Sequence, residues 1–562
     1  MEVKTYKHQL QRKETTALSV LICIIFVLYL ITLPLSPLWL PDETWYAEIS
    51  REMLTSGEWL HPRIFDFSHF GKPIAGYWLN SISQWIFGQN NGAARAVSAL
   101  AAVLTACLVF RMSTAIRQDL NQALTATLVY VSTSMVYGTG TYAILDPVFT
   151  FWITLSFYLF WKSLNASGIA SASVWWFTGG LACGIAFLTK GFLAFVIPLI
   201  VLVPWCLIFR RMKPLLFASI IILAGVLLAA LPWSIMVYRL EPDFWSWFVW
   251  VEHIQHFMSG NTQSTSPFWF YLPVIFLGML PWAGALPATM KQTWCQAKAL
   301  PAVAWMALSV ISPFIFLSLS AEKLLTYILP CFPPLAVLTA HMLCTPGRHV
   351  KRALQNNSRI NIIVGLIGTV LIAGILAPWG AFPLYTASEV IPMAVAACCF
   401  AFWMVAGMVS LKNKRYALLV ALCPFAVGLL NNIFIPKAVV YAKQPQPFIE
   451  NIRNQLQKSE YIVVQNTGLA SAVAWEMNRS DIILLGDNED ISRSMLRKRD
   501  DDRMVHASHF SQWLEDRRLD NDVSLLLYIS DESLIDIYKI PVADIIWRQG
   551  KFMLLHYIRQ SE

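Results

Sequence analysis

Apolar residues in this chain come in long uninterrupted runs separated by short polar breaks. Windows of roughly 17 to 25 mostly apolar residues can be drawn at 16–34, 92–111, 121–140, 143–162, 173–189, 191–209, 214–238, 268–288, 301–319, 324–343, 360–379, 390–411 and 416–435. They predict about thirteen membrane-spanning helices. Two stretches in the first long loop differ: 42–54 sets Ala47, Ile49, Met53 and Leu54 among charges, and the apolar run after Lys72 is short for a crossing. Both are predicted to be interfacial helices. Beyond residue 436 the pattern changes again. Short β-rich runs, YIVVQ from 461, DIILLG from 481, VSLLLYIS from 523 and FMLLHYI from 552, alternate with helical stretches and predict a small α/β domain. The expected division is a membrane domain over 1–436 and an α/β domain over 437–562.

Composition agrees with a polytopic membrane protein, since 56% of the 562 residues are hydrophobic and only 14% charged. The ten cysteines imply no disulfide framework, because nearly all sit inside apolar runs. The net charge of +8 is spread over short loops, which argues against a nucleic-acid partner. Its distribution also predicts direction. If the basic amino end is cytoplasmic, Arg111, Arg117, Lys162, Arg210, Arg211, Lys213, Arg348, Lys351, Arg352, Lys412 and Lys414 fall on the same side, and the opposite loops carry little more than single cations. The outer face then receives 35–91, 239–267 and everything after about 436.

Candidate chemistry concentrates at that outer boundary. Asp42 and Glu43 follow Pro41 directly after the first span, and Asp146 precedes Pro147 at the start of another apolar run. Either aspartate suits a helix N-cap. Carboxylates close to lipid depth also mark partners or reactions, and the predicted topology puts Asp42 and Asp146 near one membrane boundary. Lys72, Lys190 and Lys323 lie on the same side. Each can snorkel to headgroups, and together they suit an anion. His253 and His256 stand three apart beside Glu252, but the loop has no cysteine, and no metal or other cofactor is expected. The cluster Arg497 to Asp502 reads as a solvated turn.

Six segments in order, PDETWYAEISREM, KPIAGYWLNSISQWIFG, TYAILDPVFTFW, LTKGFLA, EPDFWSWFVWVEHIQHF and EKLLTYILP, resemble the bacterial lipid A 4-amino-4-deoxy-L-arabinosyltransferases, membrane glycosyltransferases of GT-C architecture. The resemblance implies transfer of aminoarabinose from undecaprenyl phosphate to a lipid A phosphate on the periplasmic side of the inner membrane, with resistance to polymyxin and other cationic peptides. It assigns the family's essential aspartates to Asp42 and Asp146, the lysine of its KP motif to Lys72, and a tyrosine near the donor phosphate to Tyr327. His256 stands where the pattern has an arginine, and Glu43, Lys190 and Lys323 are further substrate-binding candidates. Trp45, Gly71 and Leu325 also depart from the pattern, replacing arginine, glutamate and proline. Two alternatives remain open: a related transferase acting on protein or another glycolipid, and a lipid flippase or transporter, which would place its ionisable groups nearer the bilayer midplane.

Overall fold

The computed structural model describes residues 2–65, 67–69, 71–255, 266–486, 503–529 and 540–560. The chain forms two compact units. The first comprises Met1–Leu33, Arg95–Pro383 and Val390–Phe434, and the second Pro34–Ala94, Leu384–Glu389 and Ile435–Glu562.

The first unit is helical. All thirteen apolar windows contain helix, but they are not thirteen uninterrupted spans. Among the described residues eight helices are long and apolar enough to cross a bilayer, and a bent pair would make a ninth. Part of the shortfall is length, since the apolar helices Leu18–Thr32 and Leu193–Ile208 have fewer than 18 residues, and part comes from breaks. The 121–140 window divides into Leu120–Val131 and Ser134–Gly140, because Ser132 and Thr133 turn their hydroxyls back onto the carbonyls of Leu128 and Tyr130. The 268–288 window bends by 114° between Tyr271–Gly278 and Ala283–Gln296. Backbone groups released by a break inside lipid must find partners within the protein. Here the two breaks supply each other: the Trp282 indole donates to Ser132 Oγ at 2.9 Å, and the Ser134 amide donates to the Leu280 carbonyl at 2.8 Å. The closely spaced windows at 173–189 and 191–209 are separate helices, Ile169–Lys190 and Leu193–Ile208. Gly191 between them has φ +83°, a conformation that favours glycine. All ten cysteines are free thiols.

In the second unit the first loop forms the helix Asp42–Ser56, the strands β1 (Arg63–Ile64) and β2 (Phe67–Ser68), and the helix Ala75–Phe87. Ala75–Phe87 buries its polar residues Asn80, Ser81, Ser83 and Gln84 and exposes Leu79, Ile82, Trp85, Ile86 and Phe87, with Trp85 74% exposed. That inverted amphipathicity suits a helix lying in a membrane interface. Asp42–Ser56 is different. Besides Ala47, Ile49 and Met53 it buries Glu48, Arg51 and Glu52, so its charged positions are not a solvated face.

The C-terminal stretch builds one six-stranded sheet from β3 (Tyr461–Val464), β4 (Ile483–Leu485), β5 (Met504–Val505), β6 (Val523–Tyr528), β7 (Ile545–Gln549) and β8 (Phe552–Tyr557), in the order β5-β4-β3-β6-β8-β7. The first four are parallel, and β8 with β7 adds an antiparallel hairpin. One face packs Val463, Ile483, Leu485, Leu525 and Leu555 with Phe510 and Leu514 of the helix Phe510–Arg518. The Arg497 to Asp502 cluster lies outside the described residues.

Two stability effects follow. Trp282→Phe removes the donor to Ser132 and should cost about 1–2 kcal/mol, read as a lower melting temperature of the purified protein in detergent. In the sheet, His556 is buried against the hydroxyl of Ser524 at 3.0 Å, and burial lowers its pKa against an opposing pull from Asp522. A lowered imidazole pKa gives stability that is full above the unfolded value near 6.5 and is lost as pH falls below it. Melting temperature should therefore drop on acidification from about pH 7 to about pH 5, and His556→Gln should flatten that drop.

Candidate functional site

Two groups of charged side chains stand out, one in each unit. In the first, Asp146 opens the helix Asp146–Leu164 and Lys190 closes the helix Ile169–Lys190. Asp146 is not a cap. The N-cap position is Leu145, no side chain caps that end, and the Asp146 carboxylate instead accepts from Lys190 Nζ at 2.5 Å. Each charge sits at the helix end whose dipole favours it, the acid at an N-terminus and the ammonium at a C-terminus. Their side chains are only 12% and 7% exposed, so the pair carries a desolvation cost that a hydrophobic pair of similar size would avoid. Such a pair is weak evidence for stability and better evidence for a site. Lys190 Nζ also lies 4.2 Å from the centroid of the Tyr327 ring, within cation–π distance. Three sequence candidates separated by up to 181 positions thus form one cluster: Asp146, Lys190 and Tyr327.

Lys323 has a more local job. Its ammonium donates to the carbonyls of Ser266, at 2.9 Å, and Ser320, and burial lowers its pKa. It ties the turn before Leu325–Cys331 to the residues leading into Tyr271–Gly278.

The second group belongs to the first loop. Asp42 is the first residue of its helix; the N-cap is Pro41, no side chain caps this end, and Asp42 is exposed. At both helix starts the N-cap position falls one residue earlier, on Pro41 and Leu145, so neither aspartate is the N-cap residue. Glu43 turns inward, where its carboxylate accepts from the Trp39 amide at 3.0 Å and fixes the approach to the helix. Lys72 is half-buried beside His69. Burial, with Lys72 as a second cause, pulls the His69 imidazole down to about 3, so it is neutral at physiological pH. Gly71 leaves room for that ring: a Cβ there would come within 2.9 Å of His69 Cε1.

An aromatic group gathers on His69. Trp45 and His69 have ring centroids 5.3 Å apart, His69 and Tyr77 6.3 Å, and Tyr46 and Tyr77 5.8 Å. The sequence reading missed His69, Tyr46 and Tyr77. The available signal was position: Tyr46 follows Trp45, His69 lies three residues before Lys72, and Tyr77 five residues after it. His256 lies outside the described residues, as do the side chains of Glu252 and His253.

Comparison with known proteins identifies the scaffold. Residues 15–248 match the family model for dolichyl-phosphate-mannose-protein mannosyltransferase, and residues 440–556 match the arabinosyl transferase ArnT, C-terminal domain. The undecaprenyl phosphate-alpha-4-amino-4-deoxy-L-arabinose arabinosyl transferase of Erwinia tasmaniensis is 39% identical over 95% of this chain and 97% of its own length. The protein of the same name from Edwardsiella ictaluri is 39% identical over 96% of this chain and 98% of its own. Among solved structures, ArnT from Cupriavidus metallidurans bound to undecaprenyl phosphate superposes with a TM-score of 0.79 at 21% identity, covering 96% of this chain and 98% of that one. That likeness establishes a shared fold. With identity this high over nearly the whole length, the chain belongs to the undecaprenyl phosphate-alpha-4-amino-4-deoxy-L-arabinose arabinosyl transferases, a family of membrane-embedded GT-C glycosyltransferases.

Proposed function

We propose that this protein transfers 4-amino-4-deoxy-L-arabinose from undecaprenyl phosphate to a phosphate of lipid A in the bacterial inner membrane, lowering surface negative charge and so conferring resistance to polymyxin. The observation that carries this reading is the end-to-end identity with relatives of that name. The uneven placement of Lys and Arg supports a cytoplasmic amino end and a periplasmic C-terminal domain over 437–562, with the membrane domain over 1–436.

The reaction breaks the bond between the sugar's anomeric carbon and the oxygen of the polyprenyl phosphate, and forms one to a phosphate oxygen of the acceptor. Negative charge grows on the leaving phosphate as that bond breaks. A lysine aimed at it stabilises the transition state more than the ground state, which is the condition for acceleration. Lys72 is the residue we assign to this role, with Tyr327 as a further phosphate contact. The acceptor phosphate is already anionic, with a second pKa near 6, so it needs little help from a base. Asp42 is assigned the position nearest the reacting carbon, as base or as counter-charge to the oxocarbenium-like sugar. Its exposure at a helix start supports that assignment. Asp146 is assigned the orientation of substrate, with Lys190 holding its carboxylate in place. Glu43 supports the entry to the Asp42 helix.

The match of residues 15–248 to a protein mannosyltransferase model favours one second reading, transfer of a polyprenyl-linked sugar to a different acceptor. Mass spectrometry of lipid A from cells with and without the gene separates the two. An aminoarabinose increment that depends on the gene supports the first, and unchanged lipid A supports the second.

Asp42→Asn should lower transfer by about 100-fold or more in purified protein that still folds in detergent; near-normal turnover would remove Asp42 from the chemistry. Lys72→Ala should raise the KM for the polyprenyl donor and lower kcat by about 10- to 100-fold. An unchanged KM and kcat would remove Lys72 from phosphate binding.

A further inference from the structure

The helix that carries Asp42 is held at both ends by residues more than four hundred positions away. Two residues before Asp42, the Leu40 amide donates to the Lys443 carbonyl at 2.8 Å. Thr44 Oγ1 donates to the Gly468 carbonyl at 3.1 Å. At Gly468 the fit is tight: a Cβ there would lie 3.0 Å from Pro41 Cβ and 3.2 Å from Pro41 Cα. Farther along, Arg51 reaches the end of the helix Thr467–Met477. Its Nη1 donates to Asn478 Oδ1 at 2.9 Å, and its Nη2 donates to Ser480 Oγ at 2.8 Å and to the Arg479 carbonyl at 3.2 Å. Asn478 is the left-handed residue that ends that helix, with φ +54°. Asp42–Ser56 and Thr467–Met477 therefore run side by side in the same direction, joined near both starts and both ends.

The far end of this clamp is electrostatically demanding. Arg51 is 3% exposed, and its guanidinium forks onto Glu48 through bonds of 2.7 and 2.6 Å. Glu52, also buried, accepts from the Phe65 amide at 2.9 Å. Glu48 thus takes the guanidinium and Glu52 adds a second acid nearby, and burial raises the Glu48 pKa to about 8 against the pull of Arg51. Leu or Met packed in the same volume would avoid the desolvation that such a cluster carries. What the cluster provides instead is direction. A planar fork fixed on one side by Glu48 presents its remaining donors to three acceptors at a single helix end.

We propose that the C-terminal α/β domain acts as a jig for Asp42: through Arg51 at one end and Gly468 at the other, it sets the position of the Asp42–Ser56 helix against the reacting sugar. Arg51 and Gly468 are positioning residues and touch no substrate in this proposal, which rests on the assignment of Asp42 to the reaction. A shift of about 1 Å at a catalytic group lowers turnover by as much as about 100-fold while leaving binding elsewhere nearly intact.

The test uses the full-length protein, purified in detergent, with turnover counted per folded molecule. Arg51→Ala and Gly468→Val should each lower kcat by about 10- to 100-fold with the donor KM changed by less than about threefold. Arg51→Lys, which keeps the charge but loses the fork, should fall between wild type and Arg51→Ala; it also stands in if Arg51→Ala does not accumulate. As a readout without catalysis, Asp42→Cys is labelled by a membrane-impermeant maleimide over the background of native cysteines, and Arg51→Ala or Gly468→Val should change its labelling rate. Unchanged labelling together with normal kcat in either folded variant overturns the proposal. Altered labelling with normal kcat supports the jig and instead overturns the catalytic assignment of Asp42.

Discussion

A carboxylate and an ammonium 2.5 Å apart, both largely removed from water, set the terms for the membrane unit. Charges in such a place need partners, and so do the amides and carbonyls released wherever a helix breaks. Asp146 and Lys190 answer the first need by meeting at the start of one helix and the end of the next. The broken helices answer the second, with Trp282 and Leu280 from one break matched to Ser132 and Ser134 from the other. Both solutions place irregular backbone or charge only where another part of the protein completes it. A protein that must hold ionic substrates beside lipid needs such interruptions, and each one obliges a second.

Much of this was legible in the sequence because lipid imposes a simple rule. Every apolar window contains helix, and the four β-rich runs after residue 460 are strands β3, β4, β6 and β8. The missed strands are instructive. Met504–Val505 has only two residues, too few for any alternation to register, and Ile545–Gln549 includes Arg548 and an exposed face at the sheet edge. Continuity of the spans was harder to read, since Ser132, Thr133 and Pro281 sit inside unbroken apolar windows, and the hydrogen bonds at the two breaks show where each helix stops.

Charge on the Asp42–Ser56 helix misled for a related reason. Glu48, Arg51 and Glu52 occupy positions that a solvated helical face would also occupy, and i,i+3 pairing is common on exposed helices. Arg51 is covered by a domain that arrives more than four hundred residues later, at Asn478, Arg479 and Ser480, and local pattern carries no trace of it. The aspartates show the converse. Local pattern suits capping at Asp42 and Asp146, and in the structure the N-cap residues are Pro41 and Leu145. In the first loop the ring of His69 lies against Trp45 and Tyr77, and Gly71 leaves room for it.

The bond from Thr44 to Gly468 spans 424 positions, and this has a temporal meaning. At roughly 5 to 20 residues per second, a nascent chain waits on the order of half a minute or longer between emergence of the first loop and of the segment that completes it. Until then Arg51 lacks the acceptors at Asn478, Arg479 and Ser480, so the Asp42–Ser56 helix reaches its final seat only after the chain has been made past residue 480.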